Sequence, residues 1–169
     1  MLKRLDQPQP PPQSRSDHGR LDFQYERLVH IAQEMVPLAV AHMAGLPEAF
    51  KKMPIDVDWE RCIAGDLQGY AHVLTARTKE DKRLVGYIVN QVINPFLHAS
   101  AKWAFVEAIY LAEEYREGLA GYTMIKKNEK GMKLLGCKVI KLFVPVGTFE
   151  SILKRLGYEV LELGAFKFL

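Results

Sequence analysis

Apolar positions change their period along the chain near Tyr70. Before that point, Phe23, Leu28, Ile31, Ala32 and Met35 recur at mostly helical spacing over Phe23–Met35, and Pro37–Leu46 continues in the same apolar style. This predicts one kinked helix or two short ones, because proline removes a backbone donor from a helix. A further short helix is expected from near Asp58 through Trp59–Ala64, with Asp56 or Asp58 as its N-cap.

From Tyr70 onward the pattern shortens to β runs at Tyr70–Arg77, Leu84–Ile93 and Trp103–Leu111. The charged link TKEDK reads as a turn, so the first two runs should form an antiparallel hairpin, and Asn94–Ser100 connects the second to the third. After AEEYREGLAG comes an amphipathic helix with Met124, Ile125, Met132 and Leu135 on one face, closed by Gly136. Lys138–Val144 reads as a strand and Phe149–Leu156 as a short helix. Tyr158–Leu169 reads as a terminal hairpin turning near Leu163–Gly164. The order β-β-β-α-β-α-β-β predicts a mixed α/β fold with a parallel strand pair inside a mostly antiparallel sheet.

The start of the chain departs from this pattern. Gln7–Gly19 runs QPQPPPQSRSDHG, with missing backbone donors and no large apolar side chain to bury, so residues 1–20 are expected to be a mobile tail. Residues 21–169 then form one domain, since the chain has room for one ordinary core and therefore one site. Half the composition is apolar and the formal charge is only +3, with Lys and Arg dispersed. The densest cluster, Lys126, Lys127, Lys130 and Lys133 around Glu129, reads as the solvated face of a helix and not as a nucleic-acid patch. Cys62 and Cys137 lack a partner motif, which argues for neither a disulfide nor a zinc site. His30, His42 and His72 lack metal-ligand spacing and receive no role. No stretch approaches a membrane span or a signal peptide, so a reduced, cytoplasmic protein is expected.

Chemistry is concentrated in Trp103–Leu135. A strand leads through Tyr115-Arg116-Glu117-Gly118-Leu119-Ala120-Gly121 into a helix, and small residues there let backbone N–H groups approach an anion at a helix N-terminus. The same glycines would also serve a plain tight turn. Neither a P-loop nor a dinucleotide fingerprint is present. Glu107 interrupts an apolar strand; a buried carboxylate is costly unless hydrogen-bonded or used, and burial would lift its pKa toward the range of a general base. The competing reading is a Glu107 that faces an edge or is paired. His98, in a loop, and Tyr110, in the strand, are the second candidates.

The run VEAIYLAEEYREGLAGYTMI, its lysine-rich helix, KVIKLFV and ILKRLGYEV resemble the GNAT superfamily of acetyltransferases over Tyr70–Leu169. The ending and NPFLHAS are similar to small members encoded by bacteriophages. The resemblance implies a mostly antiparallel sheet whose central parallel pair splays to hold acetyl-CoA. The family's phosphate-binding turn falls on Arg116, Leu119 and Gly121, with Leu119 in place of a glycine and Gly118 one position early. Backbone amides of Arg116, Glu117, Gly118, Leu119, Ala120, Gly121 and Tyr122 would cradle the pyrophosphate. Ile109 and Leu111 would pair with the pantetheine arm, and N–H groups near Ile109 and Tyr110 would stabilise an oxyanion. Members of the family often carry a catalytic glutamate on the strand that holds Glu107. The family's acidic tyrosine falls on Leu153, so that acid is missing. The implied reaction moves an acetyl group to a primary amine of a protein or small molecule, in a chain that could pair as a homodimer. The rival reading is a non-catalytic binding protein on the same fold.

Overall fold

The computed structural model describes residues 17–52, 56–144 and 150–159. Asp17–Arg20 form a 3-10 turn that leads into strand β1, Leu21–Glu26. The helix expected over Phe23–Met35 is therefore corrected at its start. Leu21, Phe23 and Tyr25 alternate with Asp22, Gln24 and Glu26, a period of two, and β1 pairs antiparallel along its whole length with strand β2, Ala71–Thr78. The helical spacing belongs to helix α1, Leu28–Ala44, and runs back into the strand only by coincidence of Phe23 with it. Arg27, with extended backbone, marks the junction. α1 is one continuous helix that carries Pro37 within it, followed by the single turn α2, Glu48–Lys51.

Helix α3, Trp59–Gln68, is capped by Asp58, whose side chain accepts from the Arg61 N–H at 2.9 Å, and it runs four residues beyond Ala64 to end at Gly69. Strand β3, Leu84–Ile93, forms the expected hairpin with β2, and strand β4, Lys102–Leu111, pairs antiparallel with β3. Helix α4, Ala120–Leu134, gives way to Gly136 at φ 84° and returns the chain into strand β5, Cys137–Leu142, parallel to β4. Helix α5, Glu150–Leu156, follows. The sheet order is β1-β2-β3-β4-β5, a mixed sheet with the parallel pair at β4 and β5. The expected terminal hairpin lies outside the described residues beyond Glu159, as do residues 1–16 of the proline-rich segment. Among the described residues no helix is long and apolar enough to cross a membrane.

The two faces of the sheet are covered differently. Leu28, Ile31 and Met35 of α1 are buried on one side and Met124, Ile125 and Met132 of α4 on the other. α1 lacks a cap of its own; Asp66 of α3, only 3% exposed, accepts the Leu28 N–H at 3.0 Å and pairs with Arg27 at 3.1 Å. One helix thus supplies the other's N-cap. Arg77 of β2 ties β1 to α1 by donating to Glu26 at 2.7 Å and Glu34 at 2.7 Å.

α4 is held by amides. Asn90 of β3 and Asn128 of α4 are buried and exchange two hydrogen bonds of 2.9 Å, and the Tyr25 hydroxyl donates to the same Asn128 Oδ1 at 3.0 Å. Gly131 permits this seating, because a Cβ there would come within 2.3 Å of the Tyr25 ring. Replacing Asn128 with Leu strands the Asn90 amide, and a buried polar group left without its partner costs ~1–3 kcal/mol. Asn128→Leu and Asn90→Leu are each expected to lower the thermal midpoint by roughly 2–12 °C. The double variant should cost clearly less than the sum of the two. Additive losses in a thermal or urea melt would contradict the reciprocal pairing.

Candidate functional site

The pairing of β4 with β5 begins at Lys102 opposite Cys137 and stops at Val106 opposite Leu142. On its other side β4 stays paired with β3 as far as Leu111, through a register shift in which Val89 faces Ala108 while Asn90 faces Val106. Glu107 is the extra residue of that β-bulge. A bulge bends its strand and increases its twist. Glu107–Leu111 face no partner strand on the β5 side among the described residues, which leaves a notch beside that part of β4.

The bulge also decides which way side chains point. Before it, Ala104 and Val106 face α4; beyond it, Ile109 is paired with Ile88 and Tyr110 with Tyr87. Tyr110 is thereby turned to the α1 side, where its ring lies 5.4 Å from that of His42. Glu107 itself is exposed, which favours the edge-facing reading over the buried one: the bulge lifts its side chain out of the alternation. Its charge is felt by Cys62 on α3, whose thiol pKa is pushed up by burial first and then by Asp58 and Glu107.

The floor of the notch is the turn into α4. Glu113–Tyr115 form a 3-10 turn, Gly118 adopts a left-handed φ of 71°, and Leu119, 41% exposed, is the residue ahead of the helix. No side chain caps α4 and its first turn holds no acidic residue. Ala120 is buried; Gly121 and Tyr122 are half-buried, and a Cβ on Gly121 would meet no heavy atom within 4 Å. An uncapped helix N-terminus with open space over its first turn suits an anion. Glu117 is exposed beside it. Arg116 is not aimed solely at that space: its Nε donates to the Leu111 carbonyl at 2.7 Å and its guanidinium lies 5.6 Å from the Tyr110 ring centre. It staples the end of β4 to the turn.

Of the candidates, the structure brings Glu107, Ile109, Tyr110, Leu111 and the Arg116–Tyr122 turn to one notch. His98 is placed elsewhere. It is exposed in the 3-10 turn Phe96–His98 and stacks on Trp103 at 5.2 Å, four residues before Glu107 and so roughly 13 Å back along the strand. Leu153 of α5 is buried at 7% exposure. His42 went unassigned in the sequence, yet its Nδ1 is 3.0 Å from the Tyr87 hydroxyl and its ring covers Tyr110. Nothing in the spacing of the histidines could have signalled it; the contact joins α1 to β3 across 45 residues.

A groove of about 370 Å³ lies elsewhere, between β1, β2 and the end of α4; of its charged residues, Arg27 and Asp66 are paired with one another and Glu26 with Arg77. Among the described residues no group of three His, Cys, Asp or Glu side chains is placed to hold a metal ion.

No family profile and no curated protein matches the chain. Solved structures do. An acetyltransferase of Trypanosoma brucei is 15% identical, covers 88% of this chain and 99% of its own, and superposes with a TM-score of 0.66. Glucosamine-6-phosphate N-acetyltransferase of Arabidopsis thaliana is 13% identical, with 87% and 98% covered and a TM-score of 0.66. An aminoglycoside N-acetyltransferase solved in complex with CoA is 16% identical, with 88% and 94% covered and a TM-score of 0.65. The chain has the GNAT acetyltransferase fold.

Burial, and then the Arg116 guanidinium, hold the His42 pKa below the usual histidine range. The fold therefore favours neutral His42, while the unfolded chain takes up that proton as pH falls through about 6.5. This contribution to stability is present above that pH and lost below it. Urea midpoints measured between pH 7.5 and 5.5 should fall more for the wild type than for His42→Gln. Parallel curves would contradict the neutral, buried imidazole.

Proposed function

We propose that this chain is an acetyl-CoA-dependent N-acyltransferase that moves an acetyl group directly to a primary amine of a protein or small molecule. The observation that carries the reading is that the β4–β5 pairing stops at Val106, beside the bulge at Glu107, and that the chain leaving β4 leads into an uncapped helix N-terminus. An extended ligand arm can add to the open edge of Glu107–Leu111 while its phosphates meet the first amides of α4. The residues fit such a ligand: the first turn of α4 carries no carboxylate and Gly121 leaves room.

Acetyl-CoA would supply the thioester, and the remaining work falls to the chain. N–H groups near Ile109 and Tyr110 stabilise negative charge on the carbonyl oxygen as the amine attacks. Glu107, exposed on the bulge, meets an ammonium ion and takes its proton directly or through water. Leu153 offers no acid, so the thiolate leaves unassisted or is protonated by water, which is tolerable for a group whose pKa is about 8.5. Arg116 holds the notch open through Leu111 and adds positive charge near the phosphates. His98, beside Trp103, has no part in this scheme.

The buried Leu153 favours a second reading, a non-catalytic protein that keeps the fold and binds a partner. The two readings separate on a single preparation. An enzyme should bind acetyl-CoA and release CoA slowly without an amine, whereas a binding module should not turn over.

Acetyl-CoA at a hundredfold over its dissociation constant should stabilise the wild type by ~2.7 kcal/mol. Gly121→Glu puts a carboxylate over the first turn of α4 without a steric clash, so it should fold normally and lose that stabilisation. A folded Gly121→Glu that binds CoA as tightly as the wild type would remove this turn from the site. Glu107→Gln should keep CoA affinity while turnover on an amine falls by about 10²–10⁴-fold. Unchanged turnover with chemistry rate-limiting would take the base role away from Glu107.

A further inference from the structure

An ammonium that becomes an amide loses two protons from its nitrogen, one before attack and one as the C–N bond forms and the C–S bond breaks. Glu107 accounts for the first. A second acceptor should lie at the same end of β4, be neutral at working pH, and be held so that its lone pair is available.

His42 meets these requirements by position. It sits in the last turn of α1, half-buried, over the part of β4 that β5 leaves unpaired. Its Nδ1 is 3.0 Å from the hydroxyl of Tyr87, and its ring lies 5.9 Å from Tyr87 and 5.4 Å from Tyr110. Tyr87 and Tyr110 are buried and pack 5.8 Å apart, so the imidazole rests on two fixed rings. When Nδ1–H donates to the Tyr87 oxygen, Nε2 keeps its lone pair.

We propose that His42, oriented by Tyr87, is a second proton acceptor of the site, taking up the proton that the attacking nitrogen sheds as the C–N bond forms. The electron pair of the breaking C–S bond leaves on sulfur, and the proton rests on Nε2 until water removes it. The groups around the imidazole are Tyr87 on β3, Tyr110 on β4 and Arg116 after β4. Burial and Arg116 keep His42 neutral before the reaction, and burial keeps the Tyr87 phenol protonated above its usual range. A nearby cation also prevents the imidazolium from persisting. The role rests on the acetyl-transfer reading, since it needs an attacking amine.

The test uses the full chain, acetyl-CoA and n-butylamine as probe. Acetyl-CoA affinity is measured by calorimetry, and CoA release is followed from pH 5.5 to 9 for the wild type, His42→Gln and Tyr87→Phe. The wild-type kcat/KM should fall on the acid side as His42 takes a proton. His42→Gln should bind acetyl-CoA as the wild type does, lose about 10²-fold in kcat, and lose that acid limb. Tyr87→Phe should keep the limb but displace it, which also answers the case in which His42→Gln does not fold. A merely packing role for His42 would shift stability and leave the limb where it was. Retained kcat and an unmoved limb in the folded variants would overturn the role of His42 alone. A wild type that binds no acetyl-CoA would overturn the acetyl-transfer reading, and this role with it.

Discussion

The geometry of the notch depends on one residue that the sheet cannot pair. With Glu107 inserted between Val106 and Ala108, β4 keeps its ladder to β3 as far as Leu111, while its pairing with β5 stops at Val106, so that among the described residues its last five have no partner on that side. The same insertion moves Tyr110 onto the α1 face and Ile109 onto the α4 face. One extra residue therefore exposes a carboxylate at the rim of the notch and brings the Tyr110 ring beside that of Tyr87 under His42.

An opening between strands is useful only if its walls hold still, and polar contacts hold them. The Asn90–Asn128 exchange fixes α4 against β3. Asp66 caps α1 from α3, and Arg77 links β1, β2 and α1. The Asn90–Asn128 exchange and the Asp66 cap are buried, where a satisfied network is rigid and a broken one is expensive. Arg116 closes the last gap by tying the Leu111 carbonyl to the turn that follows it.

Much of this was legible from residue pattern. The hairpin of β2 and β3, the parallel return through α4 to β5, and the cap at Asp58 follow from alternation, amphipathicity and turn chemistry. β1 was not read, because Phe23 falls at helical spacing from Leu28 and masks the alternation of Leu21, Phe23 and Tyr25. The bulge was also invisible: a one-residue slip in pairing is a property of two strands, and nothing in FVEAIYL alone says where it falls. That is why the sequence leaves a buried and an edge-facing Glu107 both open, and only the pairing shows it exposed. Arg116 was read as a phosphate ligand only, since its bond to the Leu111 carbonyl depends on how the turn folds back. His42 carries no local signal at all, and only the docking of α1 over Tyr87 and Tyr110 gives it a chemical setting.

Amide hydrogen exchange measured with and without acetyl-CoA reports whether the unpaired edge of β4 and the first turn of α4 together receive the cofactor. Added protection is expected only in the stretch from Ala108 through Tyr122, with the amides of β2 unchanged. Saturable binding that protects some other part of the chain and leaves Ala108–Tyr122 exchanging as before would contradict it.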